Sequence, residues 1–362
     1  MPTEGRHKLL ILNRVQFGYL LDTYYYCKLA AERLQITHVS FDTGMPRLHL
    51  AGVEVKYVKY KGRKCVRFFR LLATFAREIR RHRHGAIFIN YFPGCSLLTC
   101  LGRHRRMIVD IRTGSVKRNR LLRHTEDCLM RWECRLFPNV SVISRCLAGR
   151  LHLPPVKTHI LPLGAERIRV EKKRFDRLDL LYVGTLDDRH IEETVVGFAR
   201  FLHDYGARVA LTYTIIGDSP NGHLTQLRRM VHASGLDGVV RLPGYVHRTQ
   251  LQETFNRCNV GVSYVPMCDI YDCQPVTKTF EYIFAGMPVI ATATKENQKV
   301  VNRLNGVLIQ DTPESFYQGL KEVYNRRDEF DSDRIRRCCP DASWDRIVER
   351  DLLPYVHEVF ES

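Results

Sequence analysis

"CQPVTKTFEYIFAGMPVIAT", residues 273–292, carries the clearest punctuation in the chain. Pro275 suits the first turn of a helix, where a missing N–H costs nothing, and Gly286 suits the position just past a helix end. Pro288 and the apolar run Val289–Thr292 follow at once and read as a strand. The segment is one helix-to-strand step. Lys278 and Glu281 lie three residues apart, on one face of that helix. They are either an exposed ion pair or two groups turned toward a ligand, and their surroundings must decide.

Outward from this step the same alternation repeats. "DLLYVG", "LTYTIIG", "VVRLPG", "VGVSYVP", "PVIAT" and "GVLIQ" read as strands, with helical patterns near 190–204, 222–234, 249–257 and 276–285. Before the charged connector around 165–178, "KLLILN", "ITHVSFD", "VEVKYVKY", "AIFINY", "MIVDI" and "VSVIS" form a second set. Amphipathic stretches such as "YLLDTYYYCKLAAERL" and "CVRFFRLLATFAREIRRH" separate several of these. Strands alternating with helices predict right-handed βαβ units around parallel sheets. The fold class expected is α/β, with two Rossmann-like, doubly wound domains, 1–165 and 177–342, facing a central cleft. A terminal helix within 343–362 is expected to pack back on the first. A ligand belongs at the carboxyl ends of the strands.

Composition narrows the class. The 362 residues suffice for two cores, and no apolar run reaches the roughly 18 residues of a spanning helix. No secretion signal is expected at "MPTEGRHKLLILN". Twelve cysteines without a C-x-x-C pair read as reduced thiols, and "RHRH" at 81–84 as a solvated basic face, not a metal site. The formal net charge is +17, and 19 Lys and Arg stand against 5 Asp and Glu between Lys61 and Arg135. Such a field attracts phosphorylated substrates, anionic membrane surfaces or nucleic acid.

"PVTKTFEYIFAGMPVIAT" resembles the Pro-x-x-Lys-x-x-Glu-Tyr…Ala-Gly-x-Pro-Val-Ile-Ala signature of family 4 glycosyltransferases, which have the GT-B fold. "LLYVGTLDDRHIEETVVGFARF", "YTIIGDSP", "VVRLPGYV" and "CNVGVSYVP" are similar to its other C-terminal segments in order, and "VQFGYLLDTYYYCKLAAERL" to the N-terminal loop and helix of its polysaccharide-building members. The resemblance implies a retaining, metal-independent transferase with no cofactor, moving sugar from a UDP- or GDP-sugar to a glycan or lipid-linked acceptor. It implies Arg189 and Lys278 on the leaving diphosphate and Glu281 on the ribose. Gly18, Gly184, Thr185, Gly217, Tyr245, Val246 and Thr279 would complete the donor site, with Asp187 and Asp188 discounted as metal ligands. Asp110 and Arg112 are the acceptor-side candidates.

Two positions depart from the pattern. The family's first Glu is replaced by Cys273, beside Asp272, and its N-terminal His by Asn90 and Tyr91. The expected location is the cytoplasmic face of an anionic membrane. "KCVRFFRLLATFAREIRRHRH" is expected to turn Phe68, Phe69, Leu71, Leu72 and Phe75 toward the core and its arginines outward. The rivals are a nucleotide-sugar 2-epimerase, whose acid–base pattern is missing, and a nucleic-acid-binding protein, for which no recognition motif is found.

Overall fold

The apolar runs pair in parallel throughout. The computed structural model describes residues 7–81, 85–101, 104–168, 170–217 and 219–361. Of the basic run at 81–84, His82, Arg83 and His84 lie outside the described residues. The chain divides into two units, Met1–Gly164 with Trp344–Ser362, and Ala165–Ser343.

In the first unit β1 (Lys8–Leu12), β2 (Gln35–Asp42), β3 (Val53–Lys59), β4 (Ala86–Asn90), β5 (Met107–Ile111), β6 (Asn139–Val142) and β7 (Thr158–Ile160) form one sheet in the order β3-β2-β1-β4-β5-β6-β7. Every residue of β4 and β5 is buried, so both sheet faces are covered, as parallel sheets require. The order reverses between β1 and β4, and ligands of such sheets bind outside the strand ends at that point. The helices are α1 (Leu21–Ala30), α2 (Lys64–Arg81), α3 (Arg120–Arg135) and α4 (Arg145–Arg150).

The C-terminal segment completes this unit. Trp344 stacks on Tyr25 with ring centroids 5.2 Å apart, and Tyr355 stacks on His159 at 4.1 Å. It is not one regular helix: a π-helical turn, Val348–Leu352, separates Trp344–Ile347 from Leu353–Glu361. The outward-arginine reading of α2 holds in part. Leu71 and Phe75 are buried, but Phe69 is 65% exposed, so not all its aromatics face the core.

The second unit repeats the plan. Here β8 (Leu178–Val183), β9 (Leu211–Ile216), β10 (Val240–Gly244), β11 (Val260–Ser263), β12 (Val289–Thr292) and β13 (Gly306–Ile309) take the order β10-β9-β8-β11-β12-β13. Its helices are α5 (Ile191–Tyr205), α6 (His223–Ala233), α7 (Leu251–Arg257), α8 (Thr277–Phe284) and α9 (Pro313–Asn325). The order reverses between β8 and β11, which puts residues 184–190 and 264–276 at the switch point.

Candidate active site

Helix α8 ends on a glycine cap. Gly286 has φ +72°, its N–H donates to Ile283 O, and the Met287 N–H donates to Tyr282 O, the paired bonds of a Schellman motif. The start differs from expectation. Val276 is the N-cap and the helix begins at Thr277, so Pro275 lies outside the first turn and sets the approach of the chain. The Tyr282 hydroxyl accepts from Val183 N at 2.9 Å, which ties α8 to the end of β8.

This anchoring brings Lys278 to the loop after β8. Its Nζ lies 3.7 Å from the centre of the Tyr182 ring. Gly184 has φ +155°, and a Cβ there would come within 2.9 Å of that Nζ. A Cβ on Gly217 would lie 1.9 Å from Gly184 O, so close approach requires glycine at 217, while the positive φ favours it at 184. Arg189, on the same loop, lies over Tyr271 at 4.1 Å from the ring centre. Its Nη1 is buried without a hydrogen-bond partner. Burial, and after it the Arg189 guanidinium, push the Lys278 ammonium well below the usual lysine range, while Glu281 pulls it back up. The Lys278 amine and the Arg189 guanidinium each lie over an aromatic ring, and Arg189 Nη1 has no hydrogen-bond partner to offset their mutual repulsion.

Glu281 is not paired with Lys278. Its Oε1 accepts from Arg248 Nη2 at 2.9 Å, and the same Arg248 reaches Glu166 at 3.3 Å. Arg248 was not singled out in the sequence; its one signal is its place just after Tyr245 and Val246 in "GYVHRTQ". Tyr245 is 71% exposed at the end of β10, and Val246 packs against the core. Thr185 is exposed, with its carbonyl accepting from the Tyr182 hydroxyl. Thr279 turns inward, bonding Ser263 at 2.7 Å and Asn297 at 3.0 Å, so its hydroxyl serves the helix start and not a ligand. Asp187 is engaged by His223 at 2.6 Å and by Asn221 at 3.2 Å. Cys273 is buried, and Asp272 pairs with Lys295 at 2.8 Å.

The first unit has a cavity of about 720 Å³ at its own switch point, lined among others by Gln16, Asn90, Asp110 and Arg112. Asp110 accepts from Ser141 at 2.7 Å and from Asn90 at 3.0 Å. Burial raises its carboxyl to about 6, against the opposing pull of Arg112 and Ser141. Arg112 donates to Asp22 and, at 2.7 Å, to Leu161 O, so it chiefly locks loops together. Tyr91 donates to Glu133 at 2.8 Å. Gly18 has φ +91° in the loop after β1, where Gln16 bridges to Thr43 and Met45. Among the described residues no group of three or more His, Cys, Asp or Glu is arranged to hold a metal ion.

Two parallel sheets that share one strand order over six strands, the first with a seventh strand at its edge, give the chain the two-domain, Rossmann-like GT-B fold seen in solved glycosyltransferases. Residues 177–326 match the family model "Glycosyl transferases group 1". Sucrose-phosphate synthase from Thermosynechococcus elongatus has the same fold, with a TM-score of 0.75 at 16% identity, over 98% of this chain and 100% of that one. Anabaena HepE in complex with UDP gives 0.71 at 11%, over 98% and 100%. WaaG, a glycosyltransferase involved in lipopolysaccharide biosynthesis, gives 0.68 at 15%, over 97% and 99%. No curated protein matches the chain.

Proposed function

We propose that the protein is a retaining glycosyltransferase of the family 4 type that takes a sugar from a UDP- or GDP-sugar and passes it to a glycan or lipid-linked acceptor. The observation that carries this reading is the unmatched pair of cations. Arg189 and Lys278 repel each other, and Arg189 Nη1 is buried without a partner; a diphosphate satisfies both. In this reading the donor's phosphates lie over Gly184 and Gly217, where no side chain intrudes, and Glu281 accepts from the ribose hydroxyls. Arg248 then has to yield part of its hold on Glu281, which makes it a positioning residue for the donor.

In the chemical step the bond from the sugar's anomeric carbon to the phosphate oxygen breaks, and a bond to the acceptor oxygen forms on the same face. The acceptor's proton passes to the leaving phosphate. Negative charge grows on the diphosphate as the bond breaks, and Arg189 and Lys278 are already in place to offset it. Those two cations do the work a divalent ion would otherwise do, so activity is expected to survive EDTA.

A thermal-shift screen with UDP, GDP, their sugars and a DNA oligomer tests the class, because a ligand raises stability by RT ln(1 + [L]/Kd). Stabilisation by one nucleoside diphosphate and its sugar is expected. Stabilisation by DNA alone would place the protein among nucleic-acid binders. NMR of the product's anomeric configuration tests retention, and an inverted product would refute it.

A further inference from the structure

Helix α3, together with its C-cap Leu136, carries an apolar stripe on its outer side. Leu121, Leu122, Leu129, Trp132 and Leu136 are exposed by 78, 56, 42, 57 and 42%. At about 100° per residue, these positions fall within roughly 100° of one another around the helix axis. The opposite side buries Met130, Glu133 and Cys134 against the unit. Arg120, Arg131 and Arg135 run along one flank of the stripe. An ordinary surface helix would put charge where these leucines and the tryptophan stand. Exposed apolar patches of this kind mark contact surfaces.

We propose that α3 docks on an anionic lipid bilayer, with the Leu–Trp stripe at the boundary of headgroups and acyl chains and the arginines on lipid phosphates. Charge decides the occupant. A second copy would bring two basic flanks together, within a segment already holding 19 basic against 5 acidic residues from Lys61 to Arg135. A nucleic acid would meet the arginines and leave the stripe in water. Of the three, an anionic bilayer alone satisfies both parts. The stripe is also continuous with the cavity above Asp110, since Leu129 and the exposed Val116 line that cavity. Docking through α3 therefore brings the cavity mouth to the membrane surface. The purpose of this arrangement, an acceptor anchored in the bilayer, rests on the glycosyltransferase reading; the surface chemistry does not.

The test uses the full chain and phosphatidylcholine vesicles with and without phosphatidylglycerol. The chain has two tryptophans, and Trp344 is buried at 2% exposure, so a change in emission on adding vesicles reports Trp132. Co-sedimentation with anionic vesicles alone is expected, with a blue shift that Trp132→Phe removes. The double variant L121E/L136E should lose about tenfold or more in vesicle binding, as expected when interfacial apolar area is replaced by charge. Its thermal shift with UDP or GDP should stay at the wild-type level, which shows that the variant is folded. Equal binding to neutral and anionic vesicles, or none to either, would overturn the proposal. So would wild-type binding by L121E/L136E without a tryptophan shift, or a dimer lost in that variant with no vesicle binding. Vesicle binding without any nucleotide shift in the wild type would instead sink the glycosyltransferase reading and leave the membrane surface standing.

Discussion

Arg189 is held in a loop that the backbone adopts at some cost. Asp188 and His190 on either side have φ of 56° and 54°, a region that side chains other than glycine disfavour by about 1–3 kcal/mol. Such strain persists where the surrounding structure over-determines it, and here it fixes a guanidinium with a buried, unpartnered N–H. If that guanidinium serves the leaving diphosphate, its contribution grows as the glycosidic bond breaks. Arg189→Ala should therefore lower kcat by more than it raises the donor KM in steady-state assays; the reverse ranking would count against the assignment. Asp110 gives a second residue-scale test. Its folded-state value, about 6, lies above the ordinary 3.8, so the folded protein binds this proton more tightly than the unfolded chain. That contribution to stability is present at low pH and is lost as pH rises between those two values. The stability of the wild type relative to Asp110→Asn should therefore fall from pH 4 to pH 6 in denaturant titrations. A difference independent of pH would mean that burial does not govern Asp110. Of the residues expected at the site, Lys278 and Arg189 lie near each other beside Gly184, while Thr279 of the same motif turns inward. Arg248 was not legible in the sequence, because its role comes from a contact with Glu281 across 33 positions of chain.

At the scale of elements, strands were read more fully than helices. A buried parallel strand is a short apolar run, visible without context. The three-residue β7, with all its positions half-buried, has no such run and was missed. Helix α3 is not among the sequence expectations, and "RLLRHTEDCLMRWECR" puts apolar residues on its outer side as well as its buried one. Helix α8 is legible from its terminal glycine, and its start at Thr277 falls two residues after Pro275, which suits a position in or just before the first turn. The contact between the loops after β8 and β9 shows how closely the elements are fitted. Gly217 donates to Gly184's neighbourhood no atom beyond its backbone, and a methyl group there would meet Gly184 O at 1.9 Å. Gly217→Ala should lower thermal stability and, by displacing Gly184, weaken nucleotide binding as well. A variant with wild-type melting temperature and nucleotide affinity would show that these two turns can part without consequence.

For the whole molecule, two sheets of the same winding were foreseeable because the αβ alternation restarts after a charged connector near 165–178. What could not be foreseen is how each unit uses its switch point. The second concentrates unmatched positive charge from Arg189 and Lys278, with Glu281 held in reserve by Arg248. The first surrounds a cavity with a buried carboxyl and places an apolar, basic-flanked helix at its rim. The cation pair and the Glu281–Arg248 contact depend on side-chain directions that no periodicity records. The most direct test of the donor assignment is titration calorimetry of UDP and GDP against the full chain and its Glu281→Ala and Lys278→Ala variants. One of the two nucleotides should bind the wild type, and Glu281→Ala should weaken that binding by about 1–3 kcal/mol, the cost of hydrogen bonds lost at a charged group. Lys278→Ala should weaken it too. No binding of either nucleotide to the wild type, or wild-type affinity in both variants, would contradict the account.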